Sequence, residues 1–150
     1  MQKYTVLGAA IILSILAFIY INSSDHTDDI TTSDVLTIAG LNGCTIQNNY
    51  CEFVFDQQKF EVTFPKGAEV EEESFITITS DNRLMIESIS IEGINMYMGR
   101  SPVIQTEASE TSFTGVFFLG SCNLAEMQWN IKIQLAKKTH PVEVRFITTL

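Results

Sequence analysis

Hydrophobic and polar residues alternate along most of the chain after Asp34, and this period of two is the strongest structural signal in the sequence. In the segment 127–135, Met, Trp, Ile and Leu at odd positions alternate with Gln, Asn and Lys at even positions. Successive side chains of a β-strand point to opposite faces, so the pattern predicts strands with one buried and one wet face. Further strands are predicted at 35–39, 51–55, 60–64, 74–80, 83–91, 103–106, 112–119 and 142–146.

The predicted strand 83–91 contains a change of parity. Its hydrophobic positions switch from even to odd between Ile86 and Ile89. One extra residue reverses the parity of all that follow, so we expect a β-bulge at Glu87–Ser88. About eight or nine short strands separated by turn residues are typical of an antiparallel β-sandwich. The predicted fold is therefore all-β, a sandwich of immunoglobulin-like or cupredoxin-like topology.

A continuous apolar run near the N-terminus interrupts the alternation. Val6–Ile21 carries no charge and no Pro. With Tyr4 and Thr5 the run would span about 27 Å as a helix, close to the ~30 Å hydrocarbon core of a bilayer. It predicts one transmembrane helix within residues 1–21.

The charges on either side of this run predict its orientation. Lys3 and the α-amino group precede it, whereas Asp25 and Asp28 follow it. By the positive-inside rule the N-terminus stays in the cytoplasm, so we expect a single-pass protein of the bacterial inner membrane with its C-terminal domain in the periplasm. The alternative is a signal peptide cleaved after Ser23, although such peptides have apolar stretches of only about 7 to 15 residues.

Between the apolar run and the alternating region lies a polar segment, residues 22–33 (NSSDHTDDITTS). Such a composition buries too little apolar surface to fold and predicts a tether. The sequence thus divides into a membrane anchor at 1–21, a tether at 22–33 and an exported domain at 34–150. That last length suits one domain with a real core.

The exported part is strongly acidic. The whole chain has a formal net charge of −9, and removal of Lys3 with the anchor leaves −10. A surface of this charge repels phosphate backbones, so we expect no nucleic-acid partner. Glu69 and the run 71–73 predict a solvated loop, with loose cation binding as the alternative.

Few residues offer catalytic chemistry. The only histidines are His26, in the tether, and His140, before the last predicted strand. The sequence has no phosphate-binding loop, no Gly-rich turn between strand and helix and no nucleophile elbow. We expect a protein that is not an enzyme.

The three cysteines are informative in an oxidising compartment. Cys44 and Cys51 flank the polar sequence TIQNNY, which predicts a local disulfide. Cys122 is then left unpaired, as a small buried residue. The alternative pairing joins Cys122 to either of the other two.

A soft-metal site is a second hypothesis for Cys122. A hairpin turn at 108–110 sets Glu107 opposite Thr111, and the same register continued backwards sets 96–98 opposite 120–122. One thiolate with several thioethers suits Cu(I) better than a hard cation. Ordinary core packing is the alternative. The candidate copper ligands are Met96, Met98, Cys122 and Met127.

Three functions are compatible with these observations. The first is a membrane-anchored accessory or binding module for an envelope protein. We expect no cofactor for this function. The second is a Cu(I)-binding or copper-handling protein. The third, a thiol redox protein, is the least favoured, because the chain has no Cys-x-x-Cys motif and no basic residue within three positions of Cys122.

Overall fold

The computed structural model describes residues 42–149, which form nine β-strands. The predicted anchor, the tether and the predicted strand 35–39 lie outside this range. No helix of the described part is long and apolar enough to cross a membrane. The strands are β1 (Tyr50–Phe55), β2 (Gln58–Thr63), β3 (Glu73–Ser80), β4 (Ile86–Gly93), β5 (Arg100–Pro102), β6 (Ile104–Ala108), β7 (Ser112–Phe118), β8 (Glu126–Leu135) and β9 (Val142–Thr149).

The strands form two antiparallel sheets. The first sheet has the order β1-β2-β3-β7-β6 and the second the order β5-β4-β8-β9. The chain crosses between them after β3, between β5 and β6, and after β7. The prediction of an antiparallel β-sandwich is confirmed.

The core fills the space between the two inner faces and follows the predicted alternation. In β8 all five odd positions are buried, and Trp129 is only 2 % exposed. Its ring centroid lies 6.2 Å from that of Phe146, and its Nε1 donates to Thr148 Oγ1 at 2.9 Å. The predicted bulge is also present, because the register between β4 and β8 shifts between Ile86 and Ser88.

The predicted strand 103–106 corresponds to β6 (Ile104–Ala108), which begins one residue later, whereas the short strand β5 just before it was not predicted. Residues 100–102 pair with β4 in the second sheet, whereas residues 104–108 pair with β7 in the first. Val103 connects them; it is buried, and its N–H donates to Ile89 O at 3.0 Å. A Cβ atom at Gly115 would lie 2.6 Å from Val103 Cγ1, so the crossing needs a residue without a side chain beneath it.

The Cys44–Cys51 disulfide predicted from the sequence is present, with 6.1 Å between the Cα atoms. Both cysteines are buried. Cys51 lies in β1 of the first sheet, while Cys44 precedes a short segment that bonds to β9 of the second: Arg145 N donates to Cys44 O and Ile46 N donates to Arg145 O. The bond therefore joins the two sheets along one side of the sandwich.

Candidate functional site

The hairpin register from which the sulfur cluster was predicted is wrong. Glu107 pairs with Thr114 rather than Thr111, because the turn is longer than expected and the register shifts between Gln105 and Glu107. The strand also leaves the first sheet at Val103, so the register does not extend back to the methionines. Met96 and Met98 instead lie in the loop 94–99 between β4 and β5.

This loop folds back against two glycines. A Cβ atom at Gly93 would lie 2.1 Å from Met96 O and 3.2 Å from Met127 Cε, and one at Gly120 would lie 3.2 Å from Met98 Cε. Met98 Cε therefore lies close to Gly120 through the fold of the loop 94–99 and not through the predicted strand pairing.

The four candidate ligands all lie at the same end of the sandwich and differ in burial. Met127 is 3 % exposed, while Met96, Met98 and Cys122 are half-buried against the core. Cys122 forms no disulfide, and its Sγ accepts a hydrogen bond from Leu124 N at 3.4 Å. Within residues 42–149 no three His, Cys, Asp or Glu side chains are grouped to hold a metal ion.

Asn95 connects the loop to the start of β8 by two hydrogen bonds. Its Nδ2 donates to Glu126 O at 3.0 Å, and its Oδ1 accepts from Gln128 N at 3.0 Å. Ile94 N donates to Gln128 O at 2.8 Å. A single polar residue in a loop carries no distinctive sequence pattern, so alternation could not identify this role.

A row of apolar side chains lies on the outer face of the first sheet. Ile104 of β6 pairs with Val116 of β7, which pairs with Phe75 of β3, and Phe118 follows Val116 on the same face. Ile104 and Phe118 are 58 % and 56 % exposed, while Phe75 and Val116 are half-buried. Directly paired residues share one face, so these side chains form a continuous surface, here called the apolar row.

Glutamates flank the apolar row on two sides. Glu73 is paired with Phe118, and Glu107 is paired with Thr114, two positions before Val116. Both carboxylates are exposed. A cation already lies near the row, because Lys66 Nζ is 5.9 Å from the centroid of the Phe75 ring.

The outer strands of both sheets carry features that hinder pairing with other strands. At the second sheet, β5 has only three residues and β9 is bonded to the segment that follows Cys44. At the first sheet, β6 carries the register shift, and Tyr50 of β1 exchanges two 3.0 Å backbone bonds with Gln47. Short, bulged or covered edges resist pairing with other strands.

The exposed face of β1 is charged. Glu52 accepts a 2.7 Å hydrogen bond from the Tyr50 hydroxyl and lies 2.9 Å from Lys59 Nζ. The hydrogen bond from Tyr50, followed by the interaction with Lys59, lowers the pKa of Glu52. Strand β1 therefore presents ionised side chains near one edge of the sheet, while the apolar row lies on the same outer face toward the opposite edge.

Open cavities lie at both ends of the described part. One of about 160 Å³ lies beside Arg145 and Ile147, and another of about 320 Å³ lies between Leu84 and Phe113 at the opposite end.

No protein-family model, curated protein or solved structure matches this chain. Of the described surfaces, the apolar row is the one whose chemistry points most directly to a macromolecular partner.

Proposed function

We propose that the protein is a membrane-anchored, periplasmic binding module that holds an envelope protein against the apolar row. The observation that carries this proposal is the exposure of Ile104 and Phe118 on one face, aligned with Val116 and Phe75. Contiguous apolar patches on a soluble surface are typical of interaction sites, whereas single exposed residues are ordinary.

The free energy gained by burying these two side chains favours an interface. Ile104 and Phe118 are already partly buried, so covering the exposed 58 % and 56 % of them would contribute about 1 to 2 kcal/mol each, which suits two contacts of a small interface. The predicted anchor at 1–21 and tether at 22–33 support the same function, because fixing the module to the inner membrane raises its effective concentration near membrane partners.

The remaining parts of the proposal come from the sequence. The module is not an enzyme, needs no cofactor and binds no nucleic acid. The anchor crosses the inner membrane once, with the N-terminus in the cytoplasm, and the sandwich has an immunoglobulin-like or cupredoxin-like topology.

Site-specific photo-cross-linking in native membranes tests the proposal. A benzophenone amino acid at position 118 or 104 of the full chain should give the same discrete protein adduct. Position 54 is the matched control, because Val54 is 71 % exposed but lies on β1, away from the apolar row. Equal adducts from all three positions, or none from 118 and 104, would contradict the proposal.

Cu(I) handling is the second candidate function. The observation in its favour is that Met98 Cε approaches Gly120, two residues before the unpaired Cys122, while Met127 Cε and the backbone carbonyl of Met96 both lie close to Gly93. A thiolate with thioethers is a soft ligand set that favours Cu(I). In this function the same end of the sandwich would carry the metal.

A Cu(I) competition assay separates this candidate from the first. Cys122→Ser should weaken binding of one Cu(I) far more than Met96→Leu or Met98→Leu, because only the thiolate is charged. The Met→Leu changes should cost less than about 1.5 kcal/mol of stability. Failure of the folded protein to bind Cu(I) against a moderate competitor would remove this candidate.

A further inference from the structure

We infer that the segment bound by the apolar row is basic and extended, with two Lys or Arg residues four positions apart and an aliphatic residue midway between them. This inference rests on the proposed function and specifies the chemistry of its partner. It is carried by the position of Glu73 and Glu107 on opposite sides of the row.

The register gives the separation of the two carboxylates. Glu73 lies at the level of Phe118 in β3, and Glu107 lies at the level of Thr114 in β6, two strands away. With ~4.8 Å between strands and ~3.4 Å per residue, their Cα atoms are about 17 Å apart along a diagonal of the sheet. This diagonal passes over β7 near Val116.

An extended segment matches this diagonal. Residues four positions apart in a strand lie on one side of it, about 13 to 14 Å apart, and long basic side chains cover the remaining distance. The residue midway between them points to the same side and would lie on the apolar row. A helix would place its i and i+4 residues only about 6 Å apart at the same spacing in sequence.

Charge complementarity selects the basic partner. The chain has eighteen acidic and nine basic residues, and Glu71 and Glu72 extend the acidic side next to Glu73. An acidic segment would meet repulsion at both ends of the diagonal.

Fluorescence anisotropy with the detergent-solubilised full chain tests the inference. The probe is a labelled peptide of sequence Thr-Lys-Thr-Ile-Thr-Lys-Thr, and its matched control has Glu in place of both Lys. We expect the lysine peptide to bind at least about tenfold more tightly and to weaken with added salt.

Variants locate the binding. Phe118→Thr should weaken the lysine peptide by about tenfold and Glu73→Gln or Glu107→Gln by about threefold each, whereas Val54→Thr should have no effect. Unchanged emission of the buried Trp129 verifies that each variant is folded. Equal affinity for both peptides, or no effect of either Glu→Gln change, would overturn the inference. If cross-linking from positions 118 and 104 persisted in that case, the proposed function would stand without it.

Discussion

Among individual residues, Trp129 has the largest fully buried side chain of the core. It is almost fully buried, stacks near Phe146 and satisfies its N–H through Thr148. Trp129→Ala should therefore lower the free energy of unfolding by about 3 to 5 kcal/mol, a large fraction of the stability of a domain this size. Gln128→Ala, on the exposed face of β8, should change it little. Urea unfolding of both variants measures the difference, and equal losses would contradict the assignment of the two faces.

The cysteines allow an independent test by chemistry. Denaturation of the exported protein without reductant should leave one alkylatable thiol per chain, that of Cys122. The double variant Cys44→Ala/Cys51→Ala should lose about 2 to 3 kcal/mol of stability, because the disulfide closes a short loop in the unfolded chain. Mass spectrometry of the alkylated peptides gives the count. Three free thiols, or a peptide joined through Cys122, would be incompatible with the observed pairing.

Among the strands, the crossing from β5 to β6 depends on Gly115. A methyl group there would lie 2.6 Å from Val103 Cγ1, 2.9 Å from Phe113 Cε1 and 3.0 Å from Ile104 O. Gly115→Ala should therefore destabilise the protein by about 1 to 3 kcal/mol through overpacking. Thr114→Ala, on the outer face of the same strand, is the matched control. Thermal unfolding of both variants measures the effect, and equal stability of the two would show that the close approach is unimportant.

The sequence pattern predicts those features of the fold that depend on residues close together in the chain. It fails for features that are determined by residues far apart in the chain. Alternation in 127–135 and the parity change at Glu87–Ser88 were sufficient for β8 and the bulge, because a two-sided strand reveals its buried face. The strand β5 and the crossing at Val103 were not predicted, because a residue that crosses between sheets is as buried as one inside a strand. The hairpin register failed for a related reason: turn length and the shift before Glu107 are set by the partner strand.

The features of the candidate site were likewise predictable only where they depend on residues close together in the sequence. The apolar row needs the pairing of Ile104, Val116 and Phe75 across three strands, and none of these residues is unusual in its own segment. The Cys44–Cys51 pair was predictable, because only seven positions separate the two residues. The approach of Met98 to Gly120 depends on how the loop 94–99 folds, which a hairpin register does not describe.

For the protein as a whole, the central prediction is the topology of the chain in the membrane. Lys3 on one side of an uncharged run and several Asp on the other predict an uncleaved anchor with the sandwich in the periplasm. The tether composition predicts that a protease reaches residues 22–33 before it attacks a folded, disulfide-linked sandwich.

Protease added to intact spheroplasts should accordingly release a soluble fragment that contains the whole sandwich and leave a small hydrophobic peptide in the membrane. The same protein should be protected in intact cells, where the outer membrane excludes the protease. N-terminal sequencing of the mature protein is the control. A mature chain that starts at Ser24 or beyond would mean that the run is a cleaved signal peptide. The apolar row would then act on a soluble module, without the gain in effective concentration that an anchor provides.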